Sequence, residues 1–221
     1  MDHSVLQSLL EEYRVKGYDV ADLVPIKSGK EATVYFVESG GVPYALKVYK
    51  DPERRAFQKN HEYLEGQFYR RHSFRKAIAK KNKFGKKLLH QSWVKREFGI
   101  LRALNERGAS VPTVYDWTPT SILMEFIGDD GVPASRLVDV ALGPDEAEGA
   151  LGAIMESVEL FLKIGVVHSD LSAYNILWWK GKPYVIDFPQ AVDVRNNPNT
   201  AKLLQRDIDN VKRYFEQHAS T

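Results

Sequence analysis

The sequence contains no cysteine, which excludes a disulfide framework and any metal site built on thiolates. It has no apolar run near the roughly 18 residues that a membrane helix requires. Its first residues, which include Glu11 and Glu12, do not resemble a secretory signal. Apolar residues nevertheless make up 43% of the 221, enough for a packed core. We therefore expect a soluble, cytoplasmic protein with no membrane partner.

Acidic residues are absent from residues 70–87, although the whole chain is nearly balanced at a net charge of +2. This segment holds nine lysines and arginines, with Phe74 and Phe84 among them. A run of like charges is usually a solvated, mobile loop. Base stacking and phosphate neutralisation use the same residue types, however. The segment therefore predicts either a mobile insertion or a contact surface for RNA or a ribonucleoprotein.

Hydrophobic periodicity predicts strands and one helix in the first half of the chain. The expected elements are a helix over 4–16 with Val5, Leu9 and Tyr13 on one face, three strands between 22 and 49, a helix from near Ser92 to before Gly108, and strands over 111–115 and 121–126. Residues 50–89 show no sustained period, so an insertion with partial helix is expected there.

The second half is predicted to be mainly helical. It should contain a helix over 144–164, strands over 176–179 and 184–187 around a Lys180-Gly181-Lys182 turn, and an amphipathic helix over 200–217 with Ala201, Leu204, Ile208, Val211 and Phe215 on one face. Strands followed by helices are typical of an α+β fold in two lobes.

Two short motifs in the second half carry the strongest chemical signal. Asp170 and Asn175 are separated by four residues in a loop between apolar runs, and Asp187 ends the next apolar run. This is the layout of the catalytic and metal-binding loops of protein kinases. A carboxylate at Asp170 would orient the acceptor of phosphoryl transfer, and Asn175 and Asp187 would hold Mg²⁺ against the phosphates of ATP.

The first half lacks the three glycines of the kinase phosphate-binding loop, and offers Gly29 alone. Lys47 follows 18 residues after Gly29 in an apolar strand, where a lysine must reach solvent or find an anion. Glu97 on the following helix is the expected partner, although a solvent-facing glutamate is the plainer alternative. The candidate residues for nucleotide binding are Ser28, Gly29, Lys30, Glu31, Ala32, Lys47 and Glu97, with Glu125 and Ile127 through their main chain.

With these motifs in place, the chain resembles the RIO family of atypical serine/threonine protein kinases from about Ser28 to Phe215. The resemblance lies in Ser28-Gly29-Lys30-Glu31-Ala32, in His168-Ser169-Asp170-Leu171-Ser172 and in Ile186-Asp187-Phe188-Pro189-Gln190. Where this chain has Asp187-Phe188-Pro189-Gln190, ordinary kinases have Asp-Phe-Gly followed by an activation loop. The long basic insertion before Glu97 is similar to the flexible loop of the family.

The resemblance implies a single domain over 1–221 with a bilobal, kinase-like fold. An N-terminal antiparallel sheet with a helix would span about 20–126, with the basic insertion at about 51–89, and a reduced, mostly helical lobe would span about 127–221. We expect a compact member without a winged helix. The Asp187-Phe188-Pro189-Gln190 motif favours the second subfamily, which carries a winged helix, whereas the absence of that module and the length of the insertion favour the first, so the subfamily stays open.

The resemblance also implies ATP as a ligand with Mg²⁺ or Mn²⁺, and a protein acceptor or a ribosomal particle as a partner. Some family members resemble ATPases that form a phospho-aspartate, a role that would fall on Asp187. Two alternatives stay open: a small-molecule phosphotransferase of the aminoglycoside or choline kinase type, and an ATP-sensing scaffold on a ribonucleoprotein.

Overall fold

The computed structural model describes residues 3–50 and 83–218. Residues 51–82 lie outside the described residues, and with them most of the insertion predicted over about 51–89 and of the basic segment 70–87. The described chain divides into two compact units. The first comprises residues 3–50, 83–98 and 114–133, and the second comprises residues 99–113 and 134–218. In the described residues, no helix is long and apolar enough to cross a membrane.

The first unit is built on a five-stranded antiparallel sheet of order β1-β2-β3-β5-β4. Its elements are α1 (His3–Val15), β1 (Val24–Ser28), β2 (Ala32–Ser39), β3 (Val42–Tyr49), α2 (Lys83–Asn105), β4 (Val114–Thr118), β5 (Ser121–Glu125) and the short hairpin of β6 (Gly128–Asp129) and β7 (Val132–Pro133). The last residues of α2 belong to the second unit.

The second unit is mostly helical and carries two small antiparallel pairs, β8 with β11 and β9 with β10. Its elements are a 3₁₀ turn (Leu137–Asp139), α3 (Pro144–Lys163), β8 (Val166–Val167), a second 3₁₀ turn (Ala173–Asn175), β9 (Ile176–Trp179), β10 (Lys182–Val185), β11 (Val192–Asp193) and α4 (Thr200–His218). The mixed α+β class predicted from the sequence is confirmed.

Helix α1 covers one face of the sheet. Leu9 and Tyr13 pack with Leu46 and Val48 of β3 in one buried cluster, because alternate residues of a strand project from the same face. The Tyr13 hydroxyl shares a 2.8 Å hydrogen bond with the Ser121 hydroxyl. The prediction for Val5 is wrong, since Val5 is 50% exposed and lies before the part of the helix that packs on the sheet.

Helix α2 supplies residues to the cluster on the other face of the sheet. Val94 packs there with Tyr49, Ile122 and Ala32. The helix begins at Lys83, nine residues before the predicted start near Ser92. Lysine is a good helix former, so a basic stretch without an apolar period can still be helical.

Two predicted strands are displaced. The strand expected over 111–115 lies over 114–118, because the Asn105 side-chain amide binds the carbonyls of Val111 and Pro112 and holds that stretch as a loop. The strand expected over 184–187 begins at Lys182. Lys180 and Gly181 both have positive φ, 48° and 75°, and form a two-residue hairpin turn that leaves Lys182 in the strand.

Helices α3 and α4 bury one face each in the second unit. The buried residues of α3 include Ile154, Val158 and Phe161. The buried face of α4 departs from its prediction: the buried residues are Leu203, Asp207, Val211, Tyr214 and Phe215, while Ala201 is exposed. A search for apolar residues at helical spacing does not detect a buried aspartate such as Asp207. The predicted face of this helix is therefore offset from the face that is buried.

Candidate active site

Lys47 and Glu97 form a buried ion pair in the first unit. The Lys47 ammonium donates a hydrogen bond of 2.7 Å to Oε1 of Glu97, and the two residues are 8% and 3% exposed. The contact expected from the sequence is therefore present, and the solvent-facing alternative for Glu97 is wrong. Desolvating both charges is costly, so such a pair is weak evidence for stability.

Tyr49 is a member of this cluster that the sequence analysis missed. Its hydroxyl donates a 2.5 Å hydrogen bond to Oε2 of Glu97, and the Lys47 ammonium lies 5.4 Å from the centre of its ring. In the sequence Tyr49 is one of several apolar residues in a strand, and the signal that could have found it is its spacing of two from Lys47.

Residues 28–32 form a tight connection between β1 and β2. The Gly29 amide donates to the Ala32 carbonyl at 2.9 Å, and the Lys50 ammonium donates to the Gly29 carbonyl and to the Ser28 hydroxyl. The exposed residues Ser28, Gly29 and Lys30 lie at the outer end of this turn, while Ala32 is buried. The structure places this predicted segment in the same unit as Lys47.

Glu125 and Ile127 flank Phe126 in the first unit. Glu125 ends β5 opposite Tyr44, and Ile127 is buried. Gly128 follows with a φ of +156°, and a Cβ there would lie 2.2 Å from the Val132 carbonyl oxygen. The backbone at this point can therefore take its course only with a glycine.

Asp170 and Asn175 lie in one loop of the second unit. The Asn175 side-chain amide donates to the Asp170 carbonyl at 2.8 Å and to its carboxylate Oδ2 at 3.2 Å. The Asp170 amide donates to Nδ1 of the buried His168, at 3.3 Å, so the Nε2 of that ring carries the proton and donates to the Ile186 carbonyl. The Asp170 side chain itself is exposed.

Asp187 follows directly after this contact. It is exposed and has a φ of 71°, a left-handed conformation that is uncommon outside glycine and clusters at functional sites. The Ile186 amide donates to the Asn175 carbonyl at 2.9 Å. Phe188 is buried against His168 and Phe161, with ring centres 4.6 and 5.3 Å apart. These contacts tie the Asp187 segment to the Asp170 loop.

Helix α4 holds the Asp170 loop through groups that the sequence analysis did not identify. Asp207 accepts the Ser169 amide at 2.6 Å and the Leu171 amide at 3.1 Å. Arg206 donates to the Ser169 carbonyl, and Asn210 donates to the Leu171 carbonyl at 3.2 Å. These bonds surround Asp170 on both sides and support Ser169, whose φ is 64°.

The electrostatics of Asp207 follow from its burial, since it is 1% exposed. Desolvation raises the pKa of its carboxyl from 3.8 to about 6. The two amides and the Arg206 guanidinium favour the charged form and lower the pKa, whereas the charge of Asp170 raises it.

The residues at the loop suit a hard cation such as Mg²⁺. The Asn175 amide nitrogen donates to Asp170, which leaves the amide oxygen Oδ1 on the opposite side, and Asp187 carries an exposed carboxylate; both are oxygen ligands of the kind that Mg²⁺ prefers. Within the described ranges, no group of three or more His, Cys, Asp or Glu side chains could hold a metal ion alone.

Comparison with known proteins identifies the family. A family model described as RIO domain matches residues 33–221. The chain is 30% identical to Serine/threonine-protein kinase RIO1 of Caenorhabditis elegans and 31% identical to that of Homo sapiens, over 87% and 88% of its length. It is also 32% identical to RIO-type serine/threonine-protein kinase Rio1 of Thermoplasma acidophilum, over 66% of this chain and 78% of that protein.

The sheet, the helices and the loop that carries Asp170 therefore define an α+β protein of the RIO kinase-like fold. The chain belongs to the RIO family. The match spans only 36% and 33% of the length of the nematode and human relatives.

Proposed function

We propose that this protein catalyses ATP- and Mg²⁺-dependent phosphoryl transfer as an atypical serine/threonine protein kinase or as an ATPase. The observation that carries the proposal is the geometry of the Asp170 loop. The Asn175 side chain is hydrogen-bonded to the Asp170 carboxylate, and the Asn175 carbonyl accepts the amide of Ile186, the residue directly before Asp187. Membership of a family whose relatives are named serine/threonine-protein kinases supports the same reaction.

Each residue of the Asp170 loop has a role in this proposal. The Asp170 carboxylate accepts the proton of the acceptor hydroxyl while that oxygen bonds to the γ-phosphorus and the bond to ADP breaks. Asn175 and Asp187 bind Mg²⁺ through oxygen atoms. When bound, the ion offsets the negative charge of the phosphates. Mn²⁺ would suit the same oxygen ligands.

The residues of the first unit are assigned to the nucleotide. Lys47, oriented by Glu97, contacts phosphate oxygens. The backbone of the turn formed by Ser28, Gly29, Lys30, Glu31 and Ala32 approaches the phosphates. The main chain of Glu125 and Ile127 binds the adenine.

We further propose that the acceptor is a protein or a component of a ribosomal particle, that the protein acts in ribosome maturation in the cytoplasm, and that residues 70–87 contact RNA. The charge of that segment supports the RNA contact.

The experiment combines calorimetric binding of ATP·Mg²⁺ with release and transfer of labelled γ-phosphate. Lys47→Ala and Asp187→Ala should weaken ATP·Mg²⁺ binding. Asp170→Asn should lower turnover by about 10²- to 10⁴-fold with nearly unchanged affinity, because it removes a proton acceptor and no phosphate contact. Asp145→Asn, at an exposed carboxylate of α3, is the control. Absence of ATP·Mg²⁺ binding by the unmodified protein would refute the proposal.

The same assay separates direct transfer from a phospho-aspartate. In the second route an Asp187 carboxylate oxygen attacks the γ-phosphorus, ADP leaves, and water later hydrolyses the acyl phosphate. Label on the protein that hydroxylamine removes, and that Asp187→Asn abolishes, supports this route. Its absence in a single turnover favours transfer to a serine or threonine.

A further inference from the structure

Tyr49 and Lys47 approach Glu97 from the same strand. They are two residues apart in β3, so both side chains project from one face of the sheet. Each binds a different carboxylate oxygen, Lys47 at 2.7 Å on Oε1 and Tyr49 at 2.5 Å on Oε2. Two donors on two oxygens fix the plane of the carboxylate as well as its position.

A buried carboxylate needs hydrogen-bond donors on both oxygens, because an unsatisfied charged group away from water is costly. Glu97 is 3% exposed. Because the Tyr49 hydroxyl donates a hydrogen bond to Oε2, the Lys47 ammonium has to satisfy only Oε1 of Glu97.

We propose that Tyr49 is a positioning residue for Lys47: its hydroxyl holds Glu97 so that the carboxylate presents one oxygen to the ammonium. Without that hydroxyl, Oε2 draws the ammonium toward itself, and Lys47 moves to a position between the two oxygens. The consequence for ATP rests on the proposed function, in which Lys47 contacts phosphate. The predicted displacement of Lys47 does not depend on the proposed function, because it follows from the contacts of Glu97 alone.

Tyr49→Phe isolates the hydroxyl, since the ring that packs with Val94 and lies beside the Lys47 ammonium is retained. We expect ATP·Mg²⁺ affinity to fall about five- to twentyfold, the effect of misplacing one charge-assisted contact. The Lys47 Nζ signal in ¹⁵N NMR should shift in the protein without nucleotide.

Tyr13→Phe is the matched control. It also removes a buried tyrosine hydroxyl, which bonds Ser121, but Tyr13 packs with Leu46 and Val48 on the opposite face of β3. Both variants should lose similar thermal stability. Tyr13→Phe should keep the ATP·Mg²⁺ affinity and the Lys47 signal of the unmodified protein.

A double-mutant cycle with Glu97→Gln tests whether Tyr49 acts through Glu97. In the Glu97→Gln background, Tyr49→Phe should change ATP·Mg²⁺ affinity less than twofold, because the carboxylate that it orients is gone. Additive losses would overturn the inference, as would an unshifted Lys47 signal in Tyr49→Phe. If the unmodified protein binds no ATP·Mg²⁺, the proposed function fails, and the Lys47 signal alone decides the inference.

Discussion

At the scale of single residues, Gly29 is a glycine that its own backbone conformation does not require. Its φ is not positive, and a Cβ there would lie 3.6 Å from the Ala32 carbonyl oxygen, an ordinary contact. The fold therefore accepts a larger residue at this exposed position. In the proposed function, however, the phosphates of ATP approach the backbone of this turn, and a larger residue would obstruct them.

We expect Gly29→Ala to leave the free energy of unfolding within about 0.5 kcal/mol of the unmodified protein. Its ATP·Mg²⁺ affinity should fall severalfold, because the methyl group occupies the path of the phosphates. Chemical denaturation and calorimetry measure the two quantities.

Gly41→Ala is the opposite control, since Gly41 has a φ of +79° in the turn between β2 and β3. It should lose about 1 kcal/mol of stability and keep its affinity for ATP·Mg²⁺. Unchanged affinity in Gly29→Ala would show that the turn is only a connection between strands.

The sequence predicts some of these residues better than others. Lys47 and Glu97 could be paired because a charged residue in an apolar strand demands a partner, and the following helix offers an acid. Asp207 could not be recognised, because an acid in an amphipathic helix is expected on its solvent face. Its partners are backbone amides, which every residue has and no pattern marks.

At the scale of secondary-structure elements, α4 acts on the Asp170 loop through side chains that bind backbone groups. Ser169 holds a left-handed conformation, which costs energy outside glycine. The bonds from Asp207, Arg206 and Asn210 offset that cost and fix both neighbours of Asp170. The exposed Asp170 carboxylate is thereby carried on a backbone that the helix holds in place.

This arrangement predicts a pH-dependent stability. The pKa of Asp207 in the folded protein, about 6, is raised above its ordinary 3.8 by burial, so the folded protein binds this proton more tightly than the unfolded chain. The stabilisation is fully present below pH 3.8 and is lost as the pH rises through 6. The Asp207→Asn variant has no ionisable group at this position, so its free energy of unfolding should lack this contribution to the pH dependence.

The free energy of unfolding of the unmodified protein, relative to Asp207→Asn, should therefore fall by about 3 kcal/mol between pH 3.5 and 7.5. Denaturant titrations at several pH values measure it. Asp209→Asn, at an exposed carboxylate on the same helix, should show no such trend relative to the unmodified protein. A difference between unmodified protein and Asp207→Asn that does not vary with pH would mean that Asp207 is not perturbed.

The boundaries of elements show the limit of sequence patterns in another way. Strand β9 was predicted to the residue, while β10 was displaced by two residues, because its start depends on which residues of the turn take positive φ. Helix α2 starts earlier than its apolar period. Periodicity records which residues are buried, and elements extend beyond their buried parts.

At the scale of the whole molecule, charge is distributed unevenly along the chain. Residues 70–87 hold nine of the 31 lysines and arginines and none of the 29 acids. The rest of the chain therefore carries a net negative charge. By charge alone, a polyanion such as RNA would be attracted to this segment and repelled by the remainder, and its binding would release condensed counterions.

Replacement of Lys80, Lys81, Lys83, Lys86 and Lys87 by glutamine should therefore flatten the salt dependence of binding to structured RNA. Each lost phosphate contact reduces the slope of log K against log[salt] by about 0.7–0.9. Affinity measured between about 50 and 200 mM salt gives the slope. ATP·Mg²⁺ affinity should be retained, because Lys47 lies outside the segment.

The control replaces five exposed lysines elsewhere, Lys163, Lys180, Lys182, Lys202 and Lys212, and so makes the same change in net charge. If binding depends on the local density of charge, this variant keeps most of the slope. Equal slopes for the two variants would show that RNA responds only to the total charge of the molecule. An unchanged slope in the first variant would assign residues 70–87 to another role, such as contact with an acidic protein.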